Sequence, residues 1–214
     1  MSPEPMIQIV DDDESFLTAI SRLLRASGFA VKTFSSASNL LAACDADAPG
    51  CVLADLQMPG MNGLDLQAAL ARTRNPLPIL FLTGHGDIPS SVRAMREGAV
   101  DFLEKRAPKE HLLDAVKRAL ARDARDRAER ARLHELRTRF DTLTARELEV
   151  LSHVVRGRLN KQIASDLGIH ERTVKRHRTA VTTKLGVQSA AELTQLSLEG
   201  GIFAAPPSTF PKGL

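Results

Sequence analysis

Through the first half of the chain, short apolar runs alternate with longer stretches whose apolar residues recur at helical spacing. This alternation narrows the fold more than any other feature. Met6–Val10, Phe29–Thr33, Cys51–Ala54, Pro78–Leu82 and Val100–Leu103 read as buried strands of four or five residues. Glu14–Ser27, Ala37–Cys44, Leu64–Thr73, Pro89–Glu97 and a stretch from Lys109 onward read as helices, with Gly28 placed to end the first. Strand and helix in strict alternation predict an α/β, doubly wound, five-stranded parallel sheet. Ligands of such a sheet sit beyond the carboxyl ends of its strands.

What stands at those ends is chemically pointed. Asp11, Asp12 and Asp13 follow the first strand and Asp55 follows the third, so a parallel sheet delivers both to one edge. Two carboxylates ~4 Å apart repel by roughly 1–4 kcal/mol, and a divalent cation relieves that cost. Oxygen ligands favour Mg²⁺. Two further strands bring Thr83 and Lys105 to the same edge, where a hydroxyl and an ammonium beside carboxylates suit a phosphoryl group. Gly84 and Gly86 are expected to leave room for an incoming donor, and Asp13 also reads as a cap for the first helix. An Asp or Lys at one strand end is ordinarily a turn or surface residue; polar groups at four strand ends are not an ordinary pattern.

Asp11-Asp12, Asp55 before Met58-Pro59-Gly60, Thr83-Gly84-His85-Gly86-Asp87 and Lys105 resemble the receiver signature of two-component response regulators, with the Gly-His-Gly-Asp stretch pointing to FixJ-type members. The resemblance covers residues 6 to about 120 and implies a flavodoxin-like fold. It implies Asp55 as phosphoacceptor, Asp12 as a direct Mg²⁺ ligand, Asp11 as a water-mediated one and the Gln57 carbonyl as a further ligand. Thr83 and Lys105 would bind the phosphoryl group, Phe102 would occupy an aromatic switch position, and a sensor histidine kinase would be the donor. The family usually has Pro after this Lys, often with a cis peptide bond; here Arg106 follows. A cis bond without Pro costs ~3–4 kcal/mol, so either that strain is retained or a trans loop presents Lys105 differently.

The second half is punctuated as a small all-α, four-helix domain. Thr144 and Glu147 form a capping box, with Leu143 and Leu148 as its staple and Gly157 as its close. Asn160 is expected to cap a second helix, Lys161–Leu167, before a turn at Gly168; a third helix runs Glu171–Leu185, and Ser189 with Glu192 opens a fourth. In the third helix Arg172, Lys175, Arg176 and Thr179 share one face, while Val174, Val181 and Leu185 share the other. A charged stripe is ordinarily just a solvated face. Backed by an apolar stripe and preceded by a helix and a glycine turn, it is what a major-groove helix needs.

Leu143-Thr144-Ala145-Arg146-Glu147, Asn160-Lys161-Gln162-Ile163-Ala164, Thr173-Val174-Lys175 with His177, and Lys184-Leu185-Gly186-Val187 are similar to the LuxR-type helix-turn-helix of the NarL/FixJ group. The resemblance implies that Lys175, Arg176 and Thr179 face base edges of double-stranded promoter DNA, with Thr173 at the same surface and Lys161, Arg178 and Lys184 nearer phosphates. His170 stands where Ser or Thr usually caps the recognition helix, so a weaker start is expected there. A phosphorylation-dependent homodimer is implied, pairing through roughly Val92–Phe102, with RNA polymerase as a further candidate partner.

Charge divides along the same line. Residues 1–116 hold 10 Lys/Arg against 15 Asp/Glu, residues 117–139 hold 9 against 4, and residues 140–214 hold 10 against 7. An acidic first half suits a cation and a basic second half suits a polyanion. The expected divisions are a receiver over 1–120, a charged helical linker over 121–140, a helix-turn-helix domain over 141–200 and a loose tail over 201–214. For the linker, a solvated helix and a weak coiled-coil contact both stand open. Absence of Trp and Tyr argues against base stacking on an aromatic platform. No signal-peptide pattern, apolar span or metal-type cysteine spacing is present, so a cytoplasmic protein with no membrane partner is expected; Cys44 and Cys51 read as core residues.

Enzymatic rivals fare poorly. A phosphatase of the haloacid-dehalogenase type, with Asp55 as nucleophile, needs a second acid two residues on; Gln57 stands there and cannot donate that proton. The reading is therefore of a regulator rather than an enzyme. A phosphorylation-independent DNA-binding regulator with a degenerate receiver is the alternative, kept open by Arg106.

Overall fold

The computed structural model describes residues 4–45, 47–84 and 88–202, so the expectations for Gly86 and for the tail Pro206–Leu214 lie outside the described residues. The chain forms two compact units, Met1–Ala128 and Glu129–Leu214. In the first, β1 (Met6–Val10), β2 (Ala30–Phe34), β3 (Gly50–Asp55), β4 (Ile79–Thr83) and β5 (Asp101–Glu104) make one parallel sheet in the order β2-β1-β3-β4-β5. The intervening helices are α1 (Glu14–Ala26), α2 (Ala37–Ala43), α3 (Gly63–Leu70), α4 (Ile88–Arg96) and α5 (Lys109–Asp141).

Three strands sit one residue later than the apolar runs suggest, and β3 extends at both ends. Pairing sets these limits: Phe34 pairs with Val10, and Thr83 with Glu104. Strand side chains alternate between two cores. Ile7, Ile9, Cys51 and Leu53 join Leu17, Ile20 and Leu24 of α1 and Leu112, Ala115, Val116 and Ala119 of α5. Val10, Val52, Ala54 and Phe81 face the other way, with Leu40, Leu66, Leu70 and Ala94. Each fully buried Leu or Ile contributes roughly 1.5–3 kcal/mol. Two buried layers hold the strand ends, and hence the pocket, in place.

The stretch read as a charged linker is partly packed. Asp123 is buried and its Oδ2 accepts from the Gly50 N–H at 2.9 Å. Arg127 donates through Nε to Asp123 at 2.8 Å, through Nη1 to the Asp47 carbonyl at 3.1 Å and through Nη2 to the Ala48 carbonyl at 2.5 Å. These bonds tie the helix to the amino end of β3. Farther along, Leu136 is buried and Phe140 belongs to the core of the second unit.

In the second unit, α6 (Ala145–Val155), α7 (Asn160–Leu167), α8 (Glu171–Leu185) and α9 (Ala190–Glu199) surround Val150, Leu151, Ile163, Val174, Val181, Leu185 and Leu193. The capping box forms as expected: Thr144 N–H donates to Glu147 Oε2 at 2.8 Å and Glu147 N–H to Thr144 Oγ at 3.3 Å. Gly168 ends α7 in the left-handed region, at φ 63°, which lets the chain turn directly into α8. The cap of α7 is a correction. Leu159 takes that position, its N–H donating to Gln162 Oε1 at 2.9 Å, while the oxygen of Asn160 accepts from Arg178 instead. Ile202, placed in the tail by the sequence reading, packs against this core.

Candidate functional site

Asp11, Asp12 and Asp55 arrive together at the carboxyl edge of β1 and β3, each offering an oxygen within 4.8 Å of the others. Asp11 and Asp55 are buried, while Asp12 is exposed. The acidic triplet divides its work: Asp13 caps α1, accepting from the N–H groups of Ser15 at 2.9 Å and Phe16 at 3.0 Å. Lys105 follows β5 and reaches back over the edge. Its Nζ lies 2.6 Å from Asp11 Oδ2 and 3.0 Å from Asp55 Oδ2. Its backbone N–H donates to the Thr83 carbonyl at 2.8 Å. No cis peptide bond occurs among the described residues, so a trans loop at Arg106 delivers the ammonium to both carboxylates.

Burial raises the Asp11 carboxyl above its usual range, opposed by hydrogen bonds from Lys105 and from the Asp13 backbone. Burial also works against the charge on Lys105, but its bonds to Asp11 and Asp55 outweigh that, and the ammonium is held above its ordinary value. A hard divalent cation fits this donor set. The ligand atoms are all oxygens, and among the described residues the buried Asp11 Oδ2 meets only the Lys105 ammonium, at 2.6 Å. Gln57 adjoins the group, its N–H donating to Asp55 Oδ1 at 3.4 Å.

Thr83 is buried at the end of β4. A Cβ at Gly84 would meet no heavy atom within 4 Å, so space at this position does not depend on a missing side chain. Phe102 is half-buried, its ring centroid 6.1 Å from that of Phe81. Two residues escape sequence reasoning. A Cβ at Gly63 would lie 2.5 Å from the Asp55 carbonyl and 2.8 Å from the Phe81 ring, so only glycine lets α3 begin directly beneath Asp55. The Phe16 ring, 4.5 Å from Lys105 Nζ, is the other. Neither carries a local pattern that would announce it.

In the second unit Arg172, Lys175, Arg176 and Thr179 are exposed along α8, opposite buried Val174, Val181 and Leu185. Thr173 is half-buried and Lys161, on α7, is exposed. His170 makes no side-chain cap, so α8 starts without one. Two residues assigned to phosphates are otherwise engaged. Lys184 Nζ lies 2.7 Å from Glu147 Oε2 and donates to the Thr142 carbonyl at 3.0 Å. Arg178 donates to Asn160 Oδ1 at 2.7 Å. Lys184 in particular is tied into the fold, because buried Glu147 needs its charge.

A receiver sheet and a helix-turn-helix bundle on one chain define a class: proteins that accept a signal in one domain and bind DNA with another. Residues 7–117 match the family model of the response regulator receiver domain, and residues 141–197 that of bacterial regulatory proteins of the luxR family. The response regulator protein TodT of Pseudomonas putida strain F1 is 43% identical over 192 residues, covering 90% of this chain and 85% of its own. The transcriptional regulatory protein FixJ of Rhizobium meliloti strain 1021 is 39% identical over 195 residues, covering 91% and 96%. The solved structure of the response regulator StyR superposes with a TM-score of 0.82 at 43% identity, covering 92% of this chain and 99% of that one. The chain belongs to the two-component response regulators that join a receiver to a LuxR-type DNA-binding domain. It is a transcription regulator by family. No described helix is long and apolar enough to cross a membrane.

Proposed function

We propose that Asp55 accepts a phosphoryl group from a partner histidine kinase in a Mg²⁺-dependent reaction, and that phosphorylation controls dimerisation and promoter binding. The observation that carries this is the meeting of Asp11, Asp12, Asp55 and Lys105 at one sheet edge. A carboxylate oxygen of Asp55 attacks phosphorus as the bond to the donor's imidazole nitrogen breaks, and that nitrogen keeps the electron pair. Asp11, Asp12, Asp55 and the Gln57 carbonyl would hold the metal, which neutralises charge when bound. Lys105 and the Thr83 hydroxyl would take the phosphoryl oxygens, with Gly84 next to Thr83 in the chain. With Lys105 reaching both carboxylates, the alternative of a degenerate receiver loses its main support.

Phe102 on β5, its ring 6.1 Å from that of Phe81 on the neighbouring strand β4, would follow Thr83 when it is drawn inward. The face that would change carries Ile88, Val92 and Met95, spaced along α4 and 77%, 44% and 46% exposed, which suits a second copy. On DNA, Lys175, Arg176 and Thr179 would face bases, with Lys161, Thr173 and Arg178 beside them. We assign residues 1–120 to the receiver and 141–200 to the DNA-binding domain, and the protein to the cytoplasm. The test is labelling with acetyl phosphate and Mg²⁺, read by intact mass. Wild type gains one phosphoryl group and Asp55→Asn gains none; equal labelling of both overturns the assignment.

A further inference from the structure

We propose that Phe16 is a positioning residue for phosphoryl transfer: its ring holds the Lys105 ammonium at the pocket by a cation–π contact. The proposal rests on the reading of Asp55 as phosphoacceptor and adds a residue which that reading does not contain. Among the described residues Lys105 Nζ has three partners: Asp11 at 2.6 Å, Asp55 at 3.0 Å and the Phe16 ring centroid at 4.5 Å. A cation within about 6 Å of a ring centroid is drawn to its negative face, more strongly where water is excluded. The Lys105 side chain is 18% exposed, so little water competes.

The three partners differ in what the reaction does to them. Asp55 loses its negative oxygen when it becomes an acyl phosphate. Asp11 is a candidate metal ligand, and a second cation there competes with the ammonium for the same carboxylate. The ring is the partner that transfer leaves unaltered, so it can keep the ammonium in reach while the two carboxylates change roles.

Local structure aims the ring. Asp13 caps α1 by accepting from the Phe16 N–H at 3.0 Å, and its own N–H donates to Asp11 Oδ1 at 3.0 Å. Phe16 is thereby tied, through one residue, to the carboxylate it shares Lys105 with. The ring also packs against the core formed by α1 and α5, which limits its rotation.

The experiment replaces Phe16 in the full chain with phenylalanines carrying one, two and three ring fluorines. Shape is nearly kept while the negative face is progressively weakened. Labelling of Asp55 by acetyl phosphate at saturating Mg²⁺ is expected to slow stepwise, by about fivefold at the most fluorinated ring. In the metal-free protein, the Lys105 Cε protons are expected to show a ring-current shift. Phe16→Tyr keeps both the shift and the rate, and Phe16→Leu loses both. A flat fluorine series, or Lys105 protons at the same position in wild type and Phe16→Leu, overturns the proposal while leaving Asp55 as the acceptor. Failure of wild type to label at Asp55 overturns the functional reading and this proposal together.

Discussion

Charge is handled in opposite ways in the two units. In the first, Asp11 and Asp55 are buried and share one ammonium, with Asp12 alongside. In the second, Arg172, Lys175 and Arg176 are exposed, and among the described residues Lys175 has only a loose pair with Glu171 at 3.5 Å. Buried charges in a low dielectric feel one another strongly, so each depends on the rest. Exposed charges are screened within about 8 Å at physiological salt and act nearly independently. Such a pocket suits one chemical event sensed cooperatively. Such a helix face suits many weak contacts to a polyanion, and its exposed residues cost the fold little.

The largest effect that could break this contrast is at Lys105. Lys105→Met is expected to slow acetyl-phosphate labelling of Asp55 by about 100-fold, the scale seen when one preorganised charge-stabilising donor is removed. Stopped-flow or timed intact-mass measurement checks it, and a change under twofold would mean that the pocket charges do not cooperate.

Next come the two lysines of α8, which share a helix but not an environment. Lys175→Ala should lose about 1–3 kcal/mol of discrimination at one base pair per half-site, with stability unchanged. Lys184→Ala should instead lower the stability of the second unit by about 1–2 kcal/mol, because buried Glu147 keeps its charge without its partner. Titrations against matched and mismatched duplexes at several salt concentrations, paired with urea denaturation, separate them. If Lys184→Ala leaves stability intact and lowers the salt slope by about one unit, its ammonium reaches phosphate and the contrast fails on this helix.

The smallest effect concerns pH. The Lys184 ammonium, then the Thr144 N–H, hold the Glu147 carboxyl below its ordinary value of 4.5. A carboxyl depressed in the folded state adds stability above its unfolded value and loses it as pH falls through the folded one. Urea midpoints of the second unit should therefore decline once pH drops below about 4.5. That decline should be shallower in Glu147→Gln; identical profiles would show that the pair contributes nothing.

Much of this protein is legible residue by residue because its signals are local. The period of apolar residues is written within each segment, so strands, helices and the buried side of α8 follow from it. The capping box at Thr144 and Glu147 spans three residues and needs nothing distant. The acids after β1 and at the end of β3 could be placed together because parallel strands share an edge. What the sequence left out was decided by neighbours far away in the chain. Lys184 carries no local sign that Glu147, from α6, pairs with its ammonium. Asn160 looks like a cap until Arg178 claims its oxygen. Asp123 looks solvated until Gly50, 73 residues earlier, is found beside it. Gly63 and Phe16 carry no periodic or motif signal at all; one is required by a carbonyl above it, the other is aimed at an ammonium from another strand end. Sequence by itself determined which segments fold and which edge collects the acids, because backbone hydrogen bonding and apolar spacing are short-range. Only the tertiary structure decided where each long charged side chain goes, because its energy depends on burial and on whichever opposite charge the folded chain brings within reach.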